Sequence, residues 1–315
     1  MNPPETPFIG TAGVLRGALL ALASLALATR PLTARQTPIR FSCGAEVHPG
    51  DARGTVAFPQ DEAFCPLIAD PKEIRSFVAI QRGEFRTIDD PEATEGTMLG
   101  SVGLGDRLGL LRWGGGKPGD GFQLAIAGAI FAQFDLSSRS FDLINADYLV
   151  GIPFTFRYSG LTARLRAYHQ SSHLGDEYLL RPSRIERENL SFESIELLLS
   201  QELGPLRLYG GGEQLFRREP DAVDPRLAHG GAELRAPAAG AFTLLAGIDM
   251  KATEQHDWKP AWSARAGFQI APAARAGHPL RRLSVLAEYY QGPSPYGQFF
   301  QDDIRYAGIA LHLIR

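Results

Sequence analysis

The stretch Leu161–His173 joins two opposed faces that few folds can accommodate. With the two-residue period of a β-strand, one face begins apolar and ends in polar side chains, while the other is polar or charged throughout. A soluble sheet would bury the apolar face in a core. A transmembrane barrel turns it to lipid and encloses the charges in its lumen. The first face holds Leu161, Ala163, Leu165, Ala167, His169, Ser171 and His173, and the second holds Thr162, Arg164, Arg166, Tyr168, Gln170 and Ser172.

This alternation recurs roughly every 15 to 30 residues from Ile74 onward, in about twelve segments of a length suited to tilted membrane strands. The connections alternate between tight turns and longer, more charged loops, which is typical of outer-membrane barrels. The tight turns are at Ser159-Gly160, Gly204 and 237–239, and the longer loops are 83–96, 173–189, 217–226 and 293–301. The strands are expected at 74–82, 97–113, 121–134, 145–158, 161–172, 190–203, 205–216, 227–236, 240–252, 259–271, 281–292 and 302–314.

The sequence therefore predicts an all-β fold, a transmembrane antiparallel β-barrel of about twelve strands. The rival interpretation is a secreted β-sandwich, whose strand ends are also commonly aromatic. The predicted domain organisation is a signal peptide at 1–34, a short irregular periplasmic arm or plug at 35–73, and the barrel at 74–315.

The N-terminal region carries the prediction of export. Arg16 precedes an apolar run, 17–28, that is too short to span a bilayer as a helix and is followed by small-residue cleavage sites. A buried core helix is the alternative. Cys43 and Cys65 form either one disulfide in an oxidising compartment or two free thiols.

Composition narrows the expected partners. The formal net charge of −3 lacks the basic surplus of nucleic-acid-binding proteins, so no nucleic-acid partner is expected. The histidines at 229, 256, 278 and 312 show no ligand spacing, so neither a metal nor a cofactor is predicted. The expected partners are outer-membrane lipids and the barrel-assembly machinery of the bacterial outer membrane, and the oligomeric state is left open.

The inward faces of the predicted strands carry charges of both signs. Buried charges must be paired or hydrated, and a barrel of about twelve strands has little room beyond its own side chains. A lumen filled by ion pairs is therefore favoured over a narrow polar channel. The inward charged residues are Arg164, Arg166, Arg207, Glu213, Glu233, Arg235, Asp249, Lys251, Arg265 and Glu288.

The apolar face of the first stretch ends in His169-x-Ser171, a pair that suggests nucleophilic catalysis. A Ser hydroxyl becomes a nucleophile beside a base, and a His oriented by a third polar group is such a base. On the next strand, Asn189 or Glu193 could stand beside His169 as that third group. The candidate catalytic residues are thus Ser171, His169, Asn189 and Glu193. The structural alternative is a polar cap where the strand leaves the membrane.

Five motifs in the mature chain resemble an uncharacterised bacterial family, domain of unknown function twelve-oh-seven. The resemblance implies a Gram-negative envelope protein and no established activity. The motifs are Leu67-Ile68-Ala69-Asp70-Pro71, Phe131-Ala132-Gln133-Phe134-Asp135, Leu143-Ile144-Asn145-Ala146-Asp147-Tyr148, Tyr168-His169-Gln170-Ser171-Ser172-His173-Leu174-Gly175-Asp176-Glu177 and Tyr209-Gly210-Gly211-Gly212-Glu213.

His169-Gln170-Ser171 is also similar to the His-x-Ser dyad of outer-membrane phospholipase A, a twelve-stranded barrel whose dyad faces lipid. An Asn and a Gly follow the Ser in that enzyme, whereas Ser172 and His173 follow it here. Its third member is an Asn on the next strand, which corresponds to Asn189. Glu193 is the alternative and matches the Glu partner of lipid A deacylase barrels.

The similarity implies an acyl-ester hydrolase of outer-leaflet lipid, of the phospholipase A or lipid A deacylase kind. Outer-membrane phospholipase A uses calcium, for which Asp176, Glu177 and Glu188 are available here without a recognisable calcium motif. Calcium is therefore expected by analogy only. The alternative function is a non-catalytic structural barrel or a narrow solute channel.

Overall fold

Twelve antiparallel strands close into a barrel in the computed structural model of this chain. Each strand pairs with its neighbours in sequence, and the pairing of the last strand with the first closes the sheet. The strands are β2 (Ser76–Arg86), β3 (Glu95–Gly114), β4 (Gly121–Asp135), β5 (Leu143–Tyr158), β6 (Leu161–Leu174), β7 (Leu190–Leu203), β8 (Leu206–Glu219), β9 (Arg226–Pro237), β10 (Phe242–Thr253), β11 (Pro260–Ile270), β12 (Arg282–Pro293) and β13 (Asp303–Ile314). A short additional strand, β1 (Thr55–Ala57), pairs with the C-terminal end of β3, at residues 111–113.

The structure describes residues 54–60, 62–86, 95–117, 119–180, 189–238, 241–270 and 282–314. All twelve predicted strands are confirmed, with ends that differ by a few residues. The predicted signal peptide and Cys43 lie outside the described residues. Cys65 is disulfide-bonded. No helix in the described ranges is long and apolar enough to cross a bilayer.

Large apolar side chains cover the outer surface of the wall. Soluble proteins rarely expose a contiguous apolar surface of this extent, and a closed barrel leaves no unpaired strand edge in a bilayer. The outer surface is therefore the lipid-facing one, which rules out the β-sandwich. Exposed residues include Val78, Leu104, Ile126, Ile152, Leu165, Leu197, Leu208, Ile248, Phe268, Val285 and Leu311.

The inner surface holds the charges that the sequence placed there. Arg207 lies 2.5 Å from Glu233, Arg265 lies 3.0 Å from Glu288, and each pair joins neighbouring strands. These four side chains are almost completely buried. The interpretation of a lumen filled by ion pairs is confirmed for the described residues.

A length of main chain also fills the lumen. Residues 62–75, here called the plug, run inside the barrel before β2 begins. Wall side chains hold the plug by its backbone carbonyls: Arg207 donates to Cys65 (2.9 Å), Ser263 to Ala69 (2.6 Å) and Arg265 to Asp70 (3.1 Å). Of the two possibilities for the irregular segment, an arm or a plug, these residues form a plug.

Ion pairs fix the acidic and basic side chains of the plug. Asp70 lies 2.7 Å from Lys251, Glu73 lies 3.0 Å from Arg164, and Lys72 contacts Asp147 on β5. Burial raises the pKa of the Asp70 carboxyl, but the attraction of Lys251 and His229 and the hydrogen bonds from Lys251 and the Lys72 backbone together lower the pKa below its ordinary value. Asp70 is thus ionised in the folded protein.

Replacement of Asp70 by Asn tests this attachment. The Asp70 side chain is buried, whereas the Lys251 side chain is 24% exposed. Asp70→Asn should therefore lower the free energy of unfolding by roughly 2 kcal/mol, which is less than for a fully buried ion pair. Because the folded pKa is lowered, the stabilisation by Asp70 is present above the unfolded pKa of about 4 and is lost as pH falls further.

Urea unfolding midpoints of wild type and Asp70→Asn in lipid vesicles, at neutral pH and below pH about 4, provide the measurement. The difference between the two proteins should shrink at the lower pH. Asp221→Asn, at an exposed loop position, is the matched control. Equal midpoints at neutral pH would contradict the attachment.

Candidate functional site

His169 on β6 and Glu193 on β7 face each other on the lipid-facing surface. They are directly opposite in the antiparallel register, and His169 Nδ1 lies 3.5 Å from Glu193 Oε1. The two side chains are 45% and 42% exposed. The alternation of β6 and β7 explains the position, because both residues share a face with the outward leucines of their own strands.

Ser171 lies on the same face, two residues beyond His169. Its partners in register are Tyr148 on β5 and Ser191 on β7. Neighbours on one face of a strand are about 7 Å apart, and no hydrogen bond joins Ser171 to His169 in the described part of the chain. Catalytic hydrogen bonds are often long before substrate binds.

The two candidates for a third catalytic residue occupy different positions. Glu193 is opposite His169, whereas Asn189 precedes β7 and is exposed. Ser172 pairs with Leu190, so Asn189 lies near the level of His173, about 13 Å along the strand from Glu193. The structure brings together His169 and Glu193 and leaves Asn189 apart from them.

The pair lies where the apolar surface gives way to polar residues. Val150 is opposite His169 on β5, and Ile195 and Leu165 continue the apolar surface toward the turns. On the loop side, Tyr148 packs edge-on against His173 with 5.7 Å between ring centroids. Because β6 is paired on both sides here, its backbone N–H groups are used in the sheet, and an oxyanion would have to be stabilised by side chains.

The inner face of the same motif is more fully hydrogen-bonded than the outer one. Ser172 Oγ lies within hydrogen-bond distance of Asn145 Oδ1 (3.0 Å) and of an Asp147 carboxylate oxygen, which share its single proton. Tyr168 donates its hydroxyl proton to Glu213 on β8. These residues belong to motifs that carry the family resemblance, and the sequence placed Glu213 among the inward charges without predicting its partners. Tyr168 and Ser172 alternate with His169 and Ser171 along β6, and this alternation was the signal in the sequence that placed them on the inner face.

A cavity of about 180 Å³ lies in the lumen beside these inner residues. Pro71 and Lys72 of the plug line one side, and residues such as Asp224 and His256 line it from the loops. Tyr168, Glu213 and Asp249 are among its wall residues. The cavity thus lies between the plug and the loop end of the barrel.

Lys72 occupies the plug side of this cavity beneath two aromatic rings. Its Nζ lies 4.7 Å from the ring centroids of both Phe131 and Tyr296. Burial lowers the pKa of Lys72, and Asp147 opposes that shift. At the mouth, burial likewise lowers the pKa of His256, against the attraction of Asp303.

The residues considered for calcium do not form a site in the described structure. Asp176 and Glu177 lie on a single-turn helix, α1 (Asp176–Leu179), and Glu188 is outside the described residues. Among the residues that are described, no group of three or more His, Cys, Asp or Glu side chains is placed to hold a metal ion.

These features define a closed, plugged transmembrane β-barrel with a polar cluster on its lipid-facing surface. The chain belongs to the family described as "Protein of unknown function (DUF1207)", which it matches over residues 30–314. The family resemblance stated from the motifs is therefore confirmed. A comparison with curated proteins gives no match.

Solved structures of outer-membrane barrels are similar to this chain. Outer membrane phospholipase A from Escherichia coli shares 13% identity at a TM-score of 0.47, over 78% of this chain and 93% of the other. The calcium-bound outer membrane phospholipase dimer from Salmonella typhi shares 12% identity at a TM-score of 0.47, over 78% of this chain and 93% of the other. The translocator domain of the autotransporter NalP from Neisseria meningitidis shares 10% identity at a TM-score of 0.37, over 96% of each chain. Values at this level assign no activity and no residue role here.

Paired cysteine substitutions test the register around His169. Cα atoms of directly opposite residues are about 4.5 to 5.5 Å apart, within the range for a disulfide. The double variant His169→Cys with Glu193→Cys should therefore form an internal disulfide and resist alkylation, as measured by mass spectrometry after unfolding. His169→Cys with Asn189→Cys is the control and should be alkylated at both positions. The reverse pattern would show that Asn189 is the neighbour.

Proposed function

We propose that this chain is an outer-membrane hydrolase that cleaves acyl esters of outer-leaflet lipids with Ser171, His169 and Glu193. The observation that carries the proposal is the His169–Glu193 pair, opposite in register on the lipid-facing surface and separated by 3.5 Å. The pair is at the edge of the apolar surface, the depth at which the ester groups of a lipid lie. A substrate can reach it from the bilayer without extraction.

The chemistry follows from the three side chains. Ser171 Oγ attacks the ester carbonyl carbon while His169 Nε2 accepts the hydroxyl proton, and Glu193 at Nδ1 holds the imidazole in the required tautomer. The tetrahedral intermediate collapses when His169 gives that proton to the leaving alcohol. His169 then deprotonates a water molecule that attacks the acyl carbon, and it returns this proton to Ser171 Oγ as the bond to the fatty acid breaks.

In this proposal, the binding of a lipid substrate brings Ser171 Oγ within hydrogen-bond distance of His169 Nε2. Substrate excludes water from the outer surface, which strengthens the interaction between the imidazole and the Glu193 carboxylate. Ser191, opposite Ser171, is the hydroxyl best placed to donate to the developing oxyanion. Glu193 takes the orienting role for which the sequence offered Asn189 as well.

The outer membrane is the location that these features support. The apolar outer surface needs a bilayer, and the disulfide at Cys65 suits an oxidising compartment. The turns at Ser159-Gly160 and Gly204 would face the periplasm, and the loops the exterior. His169 and Ser171 would then lie in the outer leaflet.

The second candidate function is a non-catalytic barrel that does not conduct, and the plug favours it over the channel. Arg207 and Arg265 hold the plug carbonyls across the lumen. Because the plug and the ion pairs occupy the lumen, this candidate function predicts that the barrel does not conduct ions.

Hydrolysis by the purified protein tests the first candidate. Release of fatty acid from phospholipid and from lipid A is measured with and without calcium. Ser171→Ala and His169→Ala should each lower the rate by at least roughly 1,000-fold, because both act in the same step. Ser140→Ala and His256→Ala are the matched controls, and heat-dependent gel mobility checks that every variant is folded. No hydrolysis by wild type, or wild-type rates of hydrolysis in the folded Ser171→Ala and His169→Ala variants, would remove the catalytic assignment.

Conductance measurements test the second candidate function, the barrel that does not conduct. Wild-type protein in planar bilayers is expected to show no stable ohmic steps, because the plug occupies the lumen. Arg207→Ala with Arg265→Ala removes two of the donors that hold the plug and should produce brief openings. Large, stable steps in the wild type would support the channel instead.

A further inference from the structure

Arg166 on β6 is a buried cation that lines the lumen cavity and uses few of its hydrogen-bond donors. Its Nη2 lies 2.7 Å from Glu196 Oε2. In the described structure, Nε and Nη1 are buried and have no hydrogen-bond partner. These two nitrogens carry three of the five N–H groups of a guanidinium. Because Arg166 is only 5% exposed, bulk solvent does not supply the missing acceptors.

The carboxylate beside Arg166 is shared with a second arginine. Glu196 Oε1 accepts from Arg164 Nε (3.0 Å), and Glu196 Oε2 accepts from Arg166. Arg164 has a further carboxylate partner in Glu73 at 3.0 Å, whereas Glu196 is the one carboxylate paired with Arg166 among the described residues. Buried donors without acceptors are costly, and in native structures water, an ion or a ligand usually satisfies them.

The carboxylates that line the same cavity already accept hydrogen bonds from the wall. Glu213 Oε1 accepts from Ser194 Oγ (2.6 Å), and Asp249 Oδ2 accepts from the Tyr209 hydroxyl (2.5 Å). Neither carboxylate has an oxygen among the buried atoms that lack a partner in the described structure, whereas Arg166 has two nitrogens there. Among these charged groups, the unmet hydrogen bonds are those of donors, so an occupant of the cavity must supply acceptors.

The positions of these carboxylates limit the charge of the occupant. Arg166 is opposite Glu196 on β7, and Glu196 is opposite Glu213 on β8. Neighbouring strands are about 4.8 Å apart, so the backbones at Arg166 and Glu213 are separated by roughly 10 Å. One negative group can therefore bind at Arg166, while Glu213 and Asp249 repel a second negative group elsewhere in the cavity.

The size and apolar lining of the cavity narrow the class of occupant. Phe192, Leu215, Val223 and Tyr290 contribute apolar surface. An apolar cavity of about 150 Å³ in another protein binds benzene, so the present cavity of about 180 Å³ holds one ring with a short substituent. The occupant thus combines a single anionic acceptor group with a small apolar body.

We propose that the lumen cavity is a binding site for a small organic monocarboxylate that carries a single ring or a short apolar chain. Its carboxylate oxygens accept from the unpartnered N–H groups of Arg166, and its apolar part packs against Phe192 and Tyr290. The site does not include Ser171 or His169, which face the opposite side of β6, so it is independent of the proposed hydrolase.

Calorimetric titration of the purified full chain in detergent with sodium benzoate tests the proposal. Benzamide keeps the ring and a carbonyl acceptor but has no charge, and benzylamine replaces the carboxylate by an ammonium. Benzoate is expected to bind at one site, and the other two ligands at least roughly tenfold more weakly, because charge-assisted hydrogen bonds to a guanidinium require an anion.

Arg166→Gln should weaken benzoate binding by roughly tenfold or more. Glu196 keeps Arg164 as a partner in this variant, so the substitution does not leave a buried carboxylate without a cation. Arg157→Gln is the matched control, since Arg157 lies near the turn end of β5, is paired with Glu202 (2.5 Å) and does not line the cavity. Its affinity for benzoate should equal that of wild type.

Three results would overturn the proposal: no saturable benzoate binding, binding of benzamide or benzylamine at least as tight as that of benzoate, or unchanged benzoate affinity in folded Arg166→Gln. The comparison of the three ligands uses wild-type protein, so it decides the question even if the variant fails to fold.

Discussion

Closure of the sheet between β2 and β13 is the constraint on which the rest of the molecule depends. It separates two environments that the same strand must satisfy at alternate residues: lipid outside and an ion-paired lumen inside. On β6, Leu165 meets the apolar exterior while Arg164 and Arg166 are buried against Glu196. A slip of one residue would exchange these faces, so the register that buries the arginines also places His169 and Glu193 together on the outside.

Within the lumen, the plug and the wall satisfy each other. Arg207 divides its donors between the Glu233 carboxylate and the carbonyls of the plug, and Glu233 in turn accepts from the backbone N–H of Ile68. Gly247 allows the close approach, because a Cβ there would lie 3.0 Å from Ile68 Cβ. Buried charges and buried peptide groups thus neutralise each other in a space from which most water is excluded. The cavity remains where the plug stops short of the loops.

The strands were predictable from sequence because the two-residue alternation is a direct consequence of burial on one face. For the segment before the barrel, the sequence left an arm and a plug open, because residues 62–75 have no periodicity and their wall partners bind backbone carbonyls, which every residue possesses. At the outer site, the two-residue spacing of His169 and Ser171 fixed their common face. The choice between Asn189 and Glu193 required the register of β6 against β7, which depends on the length of the intervening loop. The inner partners of Tyr168 and Ser172 depend on contacts across the lumen that no local pattern contains.

Ser171 is the proposed nucleophile, and covalent labelling of this outward serine tests that assignment most directly. A fluorophosphonate with a long alkyl chain enters the bilayer and reacts with a serine only where a base activates it. Mass spectrometry of the labelled protein in lipid vesicles is expected to find the phosphonate on Ser171, and to find none after His169→Ala. Absence of an adduct on wild-type Ser171, or an equal adduct in the folded His169→Ala variant, would contradict the proposed catalytic role.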